Sequence, residues 1–169
     1  MRGFLKRHWR DCLRRPVGLV PATELVVIEQ GKVIGDARLA ATADDRVLEG
    51  MQALHGERKP EEHWSLRQPR LRRPKKLRGT ALLLAVASGN NYYHWMIESL
   101  PRLHLAEAAG WGFDQVDHVL VNQHQQFFHH ETLSRLGIRE GQSHPCHKHA
   151  VTTVDRLVVE ALESLGVTR

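Results

Sequence analysis

The spacing of apolar and polar positions changes character near residue 80. From Ala81 to Ala87 the run ALLLAVA is unbroken and of strand length, the pattern of a strand buried on both faces of a parallel sheet. Ser88-Gly89-Asn90-Asn91 interrupts it, and Tyr92 to Ala109 then repeats with helical spacing until Gly110. Asp117 to Val121 is the next short apolar run. Gln125 to Leu136 reads as a second helix stopped by Gly137, and Val154 to Val159 as a third strand, with a helix starting near Thr152 as the alternative. The resulting β-α-β-α-β order predicts a Rossmann-like, doubly wound parallel sheet with right-handed crossovers over residues 80–169.

The first half of the chain has a different pattern. Phe4, Leu5, Trp9, Cys12 and Leu13 fall on one side of a helix over 4–15, with Lys6, Arg7, Arg10 and Arg14 opposite. Such a helix docks on its own domain with a solvated basic face; the alternative is peripheral attachment to an anionic membrane. Glu24 to Ile28 and Lys32 to Ile34, flanking Gln30-Gly31, predict two short strands around a turn, and Leu48 to Leu54 a helical turn. Residues 1–55 are therefore expected to form a small β-containing appendage. Residues 56–79 hold Pro60, Pro69 and Pro74 and read as a connector without regular structure.

Charge follows the same division. Residues 1–80 carry 18 Lys and Arg against 10 Asp and Glu, a net of +8, whereas residues 81–169 carry 6 against 9, a net of −3. The excess is concentrated in Arg67, Arg70, Arg72, Arg73, Lys75, Lys76 and Arg78, with no interleaved aromatics for base stacking, so a solvated segment is expected and no specific nucleic-acid partner. Two distant cysteines, Cys12 and Cys146, provide no disulfide framework. No apolar run is long enough to cross a bilayer or follow the basic N-terminus as a signal peptide. The location expected is cytoplasmic, with the inner face of the membrane as the alternative if residues 4–15 attach there.

In parallel α/β sheets ligands bind beyond the carboxyl ends of the strands, which points to the turn Ser88 to Asn91. It matches no dinucleotide or P-loop pattern. On a helical wheel Tyr92, Tyr93, Met96, Ile97, Leu100 and Leu103 share the arc expected to cover the sheet. Asn91, His94, Glu98 and Arg102 lie within about 80° of one another on the other side. That stripe is read in two ways. Glu98 and Arg102 form an ordinary i, i+4 ion pair on a polar face, or Glu98 orients the His94 imidazole for acid–base work.

The stretch GNNYYHWMIESLPRL resembles the signature of glycosyltransferase family 61, which includes bacterial capsular polysaccharide biosynthesis proteins. That signature is N-x-x-H with an acidic residue four further on. Asn91, His94 and Glu98 fill these places, Tyr93 and Trp95 are the aromatic flanks, and Leu100-Pro101-Arg102 follows. ELVVIEQGKVIGDARL, ALLLAVA, HVLVNQHQQFFHHETLSRLGI and DRLVVE occur in the expected order, so the resemblance spans most of residues 24–160. It implies the N-terminal half of an inverting GT-B enzyme that transfers a sugar from a nucleotide-sugar donor to a glycan hydroxyl in surface polysaccharide biosynthesis. It also implies Glu98 or His94 as catalytic base and Asn91, Tyr93 and Arg102 as substrate-binding residues. The donor nucleotide sugar is a substrate, and no cofactor is implied. Because the chain stops at Arg169, before the half that chiefly binds the donor, a truncated enzyme with weak or no donor binding is expected. The alternative is a non-catalytic module that binds a glycan or a partner.

Two other groups hold candidate ligands. His144-Pro-Cys146-His147-Lys-His149 has metal-ligating side chains but no second unit to complete a tetrahedral set, so a polar surface loop and no metal are expected. His129-His130-Glu131 is expected on the solvent face of the second helix, with Phe127, Phe128, Leu133 and Leu136 inward.

Overall fold

The computed structural model describes residues 23–35, 39–48, 73–86, 88–122, 126–147 and 150–162. The expected helix over 4–15, nearly all of the turn near Leu48 to Leu54, and the connector as far as residue 72 lie outside them. Seven strands form one sheet: β1 (Thr23–Glu29), β2 (Lys32–Ile34), β3 (Leu39–Ala41), β4 (Lys75–Leu83), β5 (His118–Val121), β6 (Ser143–Pro145) and β7 (Val151–Leu162). The helices are α1 (Tyr92–His94), which runs into a π-helical turn at Trp95–Ser99, then α2 (Pro101–Ala108) and α3 (Phe127–Arg135).

The chain is a mixed α/β protein with a mostly parallel central sheet. β5 lies parallel to β4 and β6 parallel to β5, whereas β7 returns to the opposite side of β4, also parallel to it. The parallel strands thus run β6-β5-β4-β7, and their order reverses between β4 and β7. The third strand expected over Val154 to Val159 is present within β7. β6 lies inside what had read as a loop; a three-residue strand ending in Pro145 has too little periodicity to signal itself.

Three expectations are corrected here. The strands around Gln30-Gly31 do not fold back on each other. Glu29 pairs with Arg156 and Lys32 with Thr153 on the same strand, and the ladder continues between them through Gln30 N to Asp155 O and Val154 N to Gly31 O. β1 and β2 are one line along β7, kinked where a Cβ on Gly31 would collide with that of Leu157. The glycine marks a close approach of two strands, a signal that resembles a turn in sequence. Second, β1 to β3 are not an appendage, because they belong to the same sheet, and β4 begins at Lys75, inside the expected connector.

Third, the sheet is not doubly wound among the described residues. Leu82, Leu84, Val119, Val121 and Val158 project to one face and pack with Trp95, Leu103, Ala106, Phe128 and Leu133 of the helices. Their alternates Ala81, Leu83, Ala85, Leu120, Leu157 and Val159 pack instead with Ile28, Val33, Ala40 and Val154 of the antiparallel portion. A bulge in β4 between Leu77 and Thr80 breaks the register at this corner. It is fixed by Asp155, which accepts from Gly79 N, and Asp117, which accepts from Thr80 N, each at 2.8 Å. Among the described residues the helices pack on one face only, and the other face is an apolar cluster shared by the parallel and antiparallel strands.

Candidate functional site

The carboxyl end of β4 is held in place by two buried side chains. Asn122, just past β5, accepts from Val86 N and donates to Val86 O, both at 3.0 Å. A Cβ on Gly89 would strike this same amide, so only glycine lets the turn pass over it. His129 of α3 donates from Nε2 to Gly89 O at 3.0 Å and stacks edge-on against Trp95. Its Nδ1 is buried without a partner. Burial pushes the His129 imidazole below the usual histidine range, opposed by the Gly89 carbonyl and reinforced by His130. The expectation of a solvent-facing His129 is therefore wrong. Phe127, expected inward, is instead 77% exposed at the first turn of α3, and Leu136 is exposed just past its end, whereas Phe128 and Leu133 are buried as expected.

Asn91 caps the helix that follows, its Oδ1 accepting from Tyr93 N at 2.9 Å. The helix expected over Tyr92 to Ala109 is broken near its middle. Leu100 N donates to Trp95 O, an i to i−5 bond, and Pro101 begins α2. Proline has no N–H to donate to the carbonyl of Ile97, so the helix widens before it and restarts with Pro at its first position. The buried stripe is accordingly Trp95, Ser99, Leu103 and Ala106. Tyr92, Tyr93, Met96 and Ile97, expected to cover the sheet, are exposed. Trp95 decides the orientation: it is fully buried and donates from Nε1 to Thr132 Oγ1 at 2.9 Å.

The polar stripe then divides into two pairs. His94 Nδ1 lies 2.7 Å from Glu98 Oε1, with the side chains 32% and 41% exposed. An ionised carboxylate only accepts, so neutral His94 carries its proton on Nδ1 and presents Nε2 with its lone pair. Tyr93, 62% exposed, sets its ring edge against the imidazole at 5.4 Å between centroids.

Arg102 does not take Glu98 as its partner. Its Nε lies 2.9 Å from Oε2 of Glu160 on β7, with side chains 16% and 18% exposed. The Nε–H makes no well-aligned hydrogen bond, so charge more than direction holds this pair. Burial lowers the affinity of the guanidinium for its proton, against which Glu160 and then Glu98 act.

Glu98, Arg102 and Glu160 meet near the carboxyl end of β7, the strand that flanks β4 at the reversal of strand order. A crevice of about 300 Å3 between α2 and β7 is lined by Ile97, Glu98, Pro101, Arg102, Leu105 and Glu160. Asn91, Tyr93 and His94 sit one to two turns before it on the same segment. A larger cavity of about 750 Å3, beside α3 and the start of β6, includes none of the expected site residues.

Glu160, Asn122 and His129 were missed in the sequence. A lone acid near the carboxyl end of an apolar strand run was the available signal for Glu160. Nothing local marked the other two.

The remaining histidine motif is a polar surface loop only in part: His147 is exposed, and Lys148 and His149 lie outside the described residues. His144 lies on β6 and Cys146 is buried. His144 Nε2 lies 3.0 Å from His118 Nδ1, and His144 Nδ1 lies 2.9 Å from Lys75 Nζ. Among the described residues no three His, Cys, Asp or Glu side chains are grouped to hold a metal ion, and no helix is long and apolar enough to cross a membrane. Comparisons with protein-family models, with curated proteins and with solved structures found no match to the chain.

Proposed function

We propose that this chain carries part of the active centre of a cytoplasmic glycosyltransferase that moves a sugar from a nucleotide-sugar donor to a glycan hydroxyl in surface polysaccharide biosynthesis. In this reading the fold is the Rossmann-like, N-terminal half of a GT-B enzyme. The observation that carries it is the 2.7 Å His94–Glu98 pair, with Nε2 of the imidazole left open and Glu98 lining a crevice near the carboxyl end of β7. The β6-β5-β4-β7 order supports the fold assignment, because dinucleotide- and sugar-nucleotide-type sites lie at such reversals.

In the proposed reaction His94 Nε2 takes the proton of the acceptor hydroxyl as that oxygen attacks the anomeric carbon. The bond to the donor phosphate breaks, and the phosphate leaves with the electron pair. Glu98 holds the ring in the productive tautomer and stabilises the imidazolium that forms. This favours His94 over Glu98 as base, since Glu98 Oε1 is already occupied by the Nδ1–H. Tyr93 forms the outer wall for the acceptor. Asn91 acts through its cap on the helix, and Arg102 contributes the one buried cation of the crevice. The second reading, a non-catalytic module that binds a glycan or a partner, is favoured by the exposed Tyr92, Tyr93, Met96, Ile97 and Phe127.

The test is transfer from a panel of radiolabelled nucleotide sugars to glycan acceptors, with acceptor binding followed separately by NMR. Glu98→Gln is expected to lower transfer by about 100-fold while leaving binding in place. Undiminished transfer by this variant overturns the dyad, and acceptor binding without transfer by the parent supports the second reading.

A further inference from the structure

The crevice holds two carboxylates, Glu98 and Glu160, and one guanidinium, Arg102. Arg102 follows Glu98 by four residues across the π-helical turn, and both line the crevice, so Glu98 is a second carboxylate acting on the Arg102 charge. A guanidinium presents five donors and a permanent charge, so for Glu98 it is a stronger partner than a neutral imidazole. Glu98 nevertheless accepts from His94 at 2.7 Å, and Arg102 lies with its Nε 2.9 Å from Glu160. The charge of Arg102 is supported by Glu160 first and Glu98 second. The Arg102–Glu160 pair is more than four-fifths buried, where water screens little.

We infer that Glu160 is a positioning residue for the dyad: it holds the Arg102 guanidinium away from Glu98, and so keeps Glu98 as the acceptor of His94 Nδ1–H and His94 Nε2 unprotonated. Without the Glu160 charge, Arg102 is a buried cation for which Glu98 is the remaining carboxylate among the described residues of the crevice. It turns to Glu98. His94 then loses the acceptor that fixed its tautomer, and its proton moves to Nε2, which an unconstrained imidazole prefers. A base that must take a proton on Nε2 is disabled, although every group of the dyad is still present.

This consequence for catalysis rests on the proposed function, but the arrangement is measurable without it. Nitrogen-15 NMR of the neutral imidazoles, with the His94 signals assigned by their loss in His94→Gln, reports which ring nitrogen bears the proton. The parent is expected to show Nδ1–H and Glu160→Gln to show Nε2–H. Glu160→Gln with Arg102→Gln is expected to return to Nδ1–H, because the competing cation has gone. Glu160→Asp, which keeps the charge but withdraws it by one methylene, is expected to give a mixture and serves if Glu160→Gln does not fold. Nδ1–H in both Glu160 single variants overturns the inference. So does a double variant that stays at Nε2–H, since a general loosening of the fold is not repaired by removing Arg102. Absence of transfer in every form leaves these spectra intact, so the two proposals fail separately.

Discussion

Two histidine sites, one on the sheet and one on the helix that follows β4, differ in what each nitrogen has left to do. On β5 and β6, His118 Nε2 donates to Arg78 O, its Nδ1 accepts from His144 Nε2, and His144 Nδ1 accepts from Lys75 Nζ. Every ring nitrogen is used, and the chain of bonds runs between a cation and a carbonyl. At the end of α1, His94 spends one nitrogen on Glu98, which lines a crevice, and keeps the other open. The first arrangement ties three strands together; the second can take a proton from a ligand. A histidine in the sequence marks both equally, so the distinction lies in the unused lone pair and the adjoining concave surface.

The comparison is broken most severely at its foundation. Trp95→Ala removes the fully buried anchor of the His94 segment and is expected to cost about 3–5 kcal/mol in chemical denaturation. A loss below about 1 kcal/mol would mean that Trp95 does not orient this helix. His144→Gln interrupts the other cluster and is expected to cost roughly 1 kcal/mol of stability. A collapse of the fold would give the relay far more weight than a partly exposed network supports.

A smaller effect concerns pH. His129 is held neutral by burial in the fold, whereas in the unfolded chain it binds a proton below about pH 6.5. Its folded value is depressed, so stability is full above that pH and falls as pH drops through it towards the folded value. Urea midpoints of the parent are therefore expected to fall more between pH 7.5 and 5 than those of His129→Gln. Parallel declines remove His129 from the acid response.

Most of the parallel half was legible because the apolar runs of β4, β5 and β7 mark buried strands, as in ALLLAVA, and because Gly110 and Gly137 close the helices, whereas β6 was not. In the antiparallel half the strands at Glu24 to Ile28 and Lys32 to Ile34 were legible but their pairing was not. Gly31 looks like a turn residue whether a chain reverses or merely passes close to Leu157, and only the partner strand, over a hundred residues away, decides. In the site, the i, i+4 spacing of His94 and Glu98 gave the right pair, but Arg102 left the helix pattern for β7. A wheel drawn at 100° per residue carries no information about a strand that arrives later in the chain. Pro101 announced the break in the helix and was passed over, which turned the exposed Tyr93, Met96 and Ile97 inward in the expectation. His129 was misjudged because its acceptor is a backbone carbonyl in a turn forty residues earlier.

The central claim is that the open nitrogen of His94, unlike the engaged nitrogens of the other cluster, does chemistry. Initial rates of sugar transfer for the parent, His94→Ala and His144→Gln, measured side by side with the same donor and acceptor, test it most directly. A fall of about 100-fold or more for His94→Ala with an unchanged rate for His144→Gln is expected. Equal rates for all three, or equal falls for both variants, would contradict it.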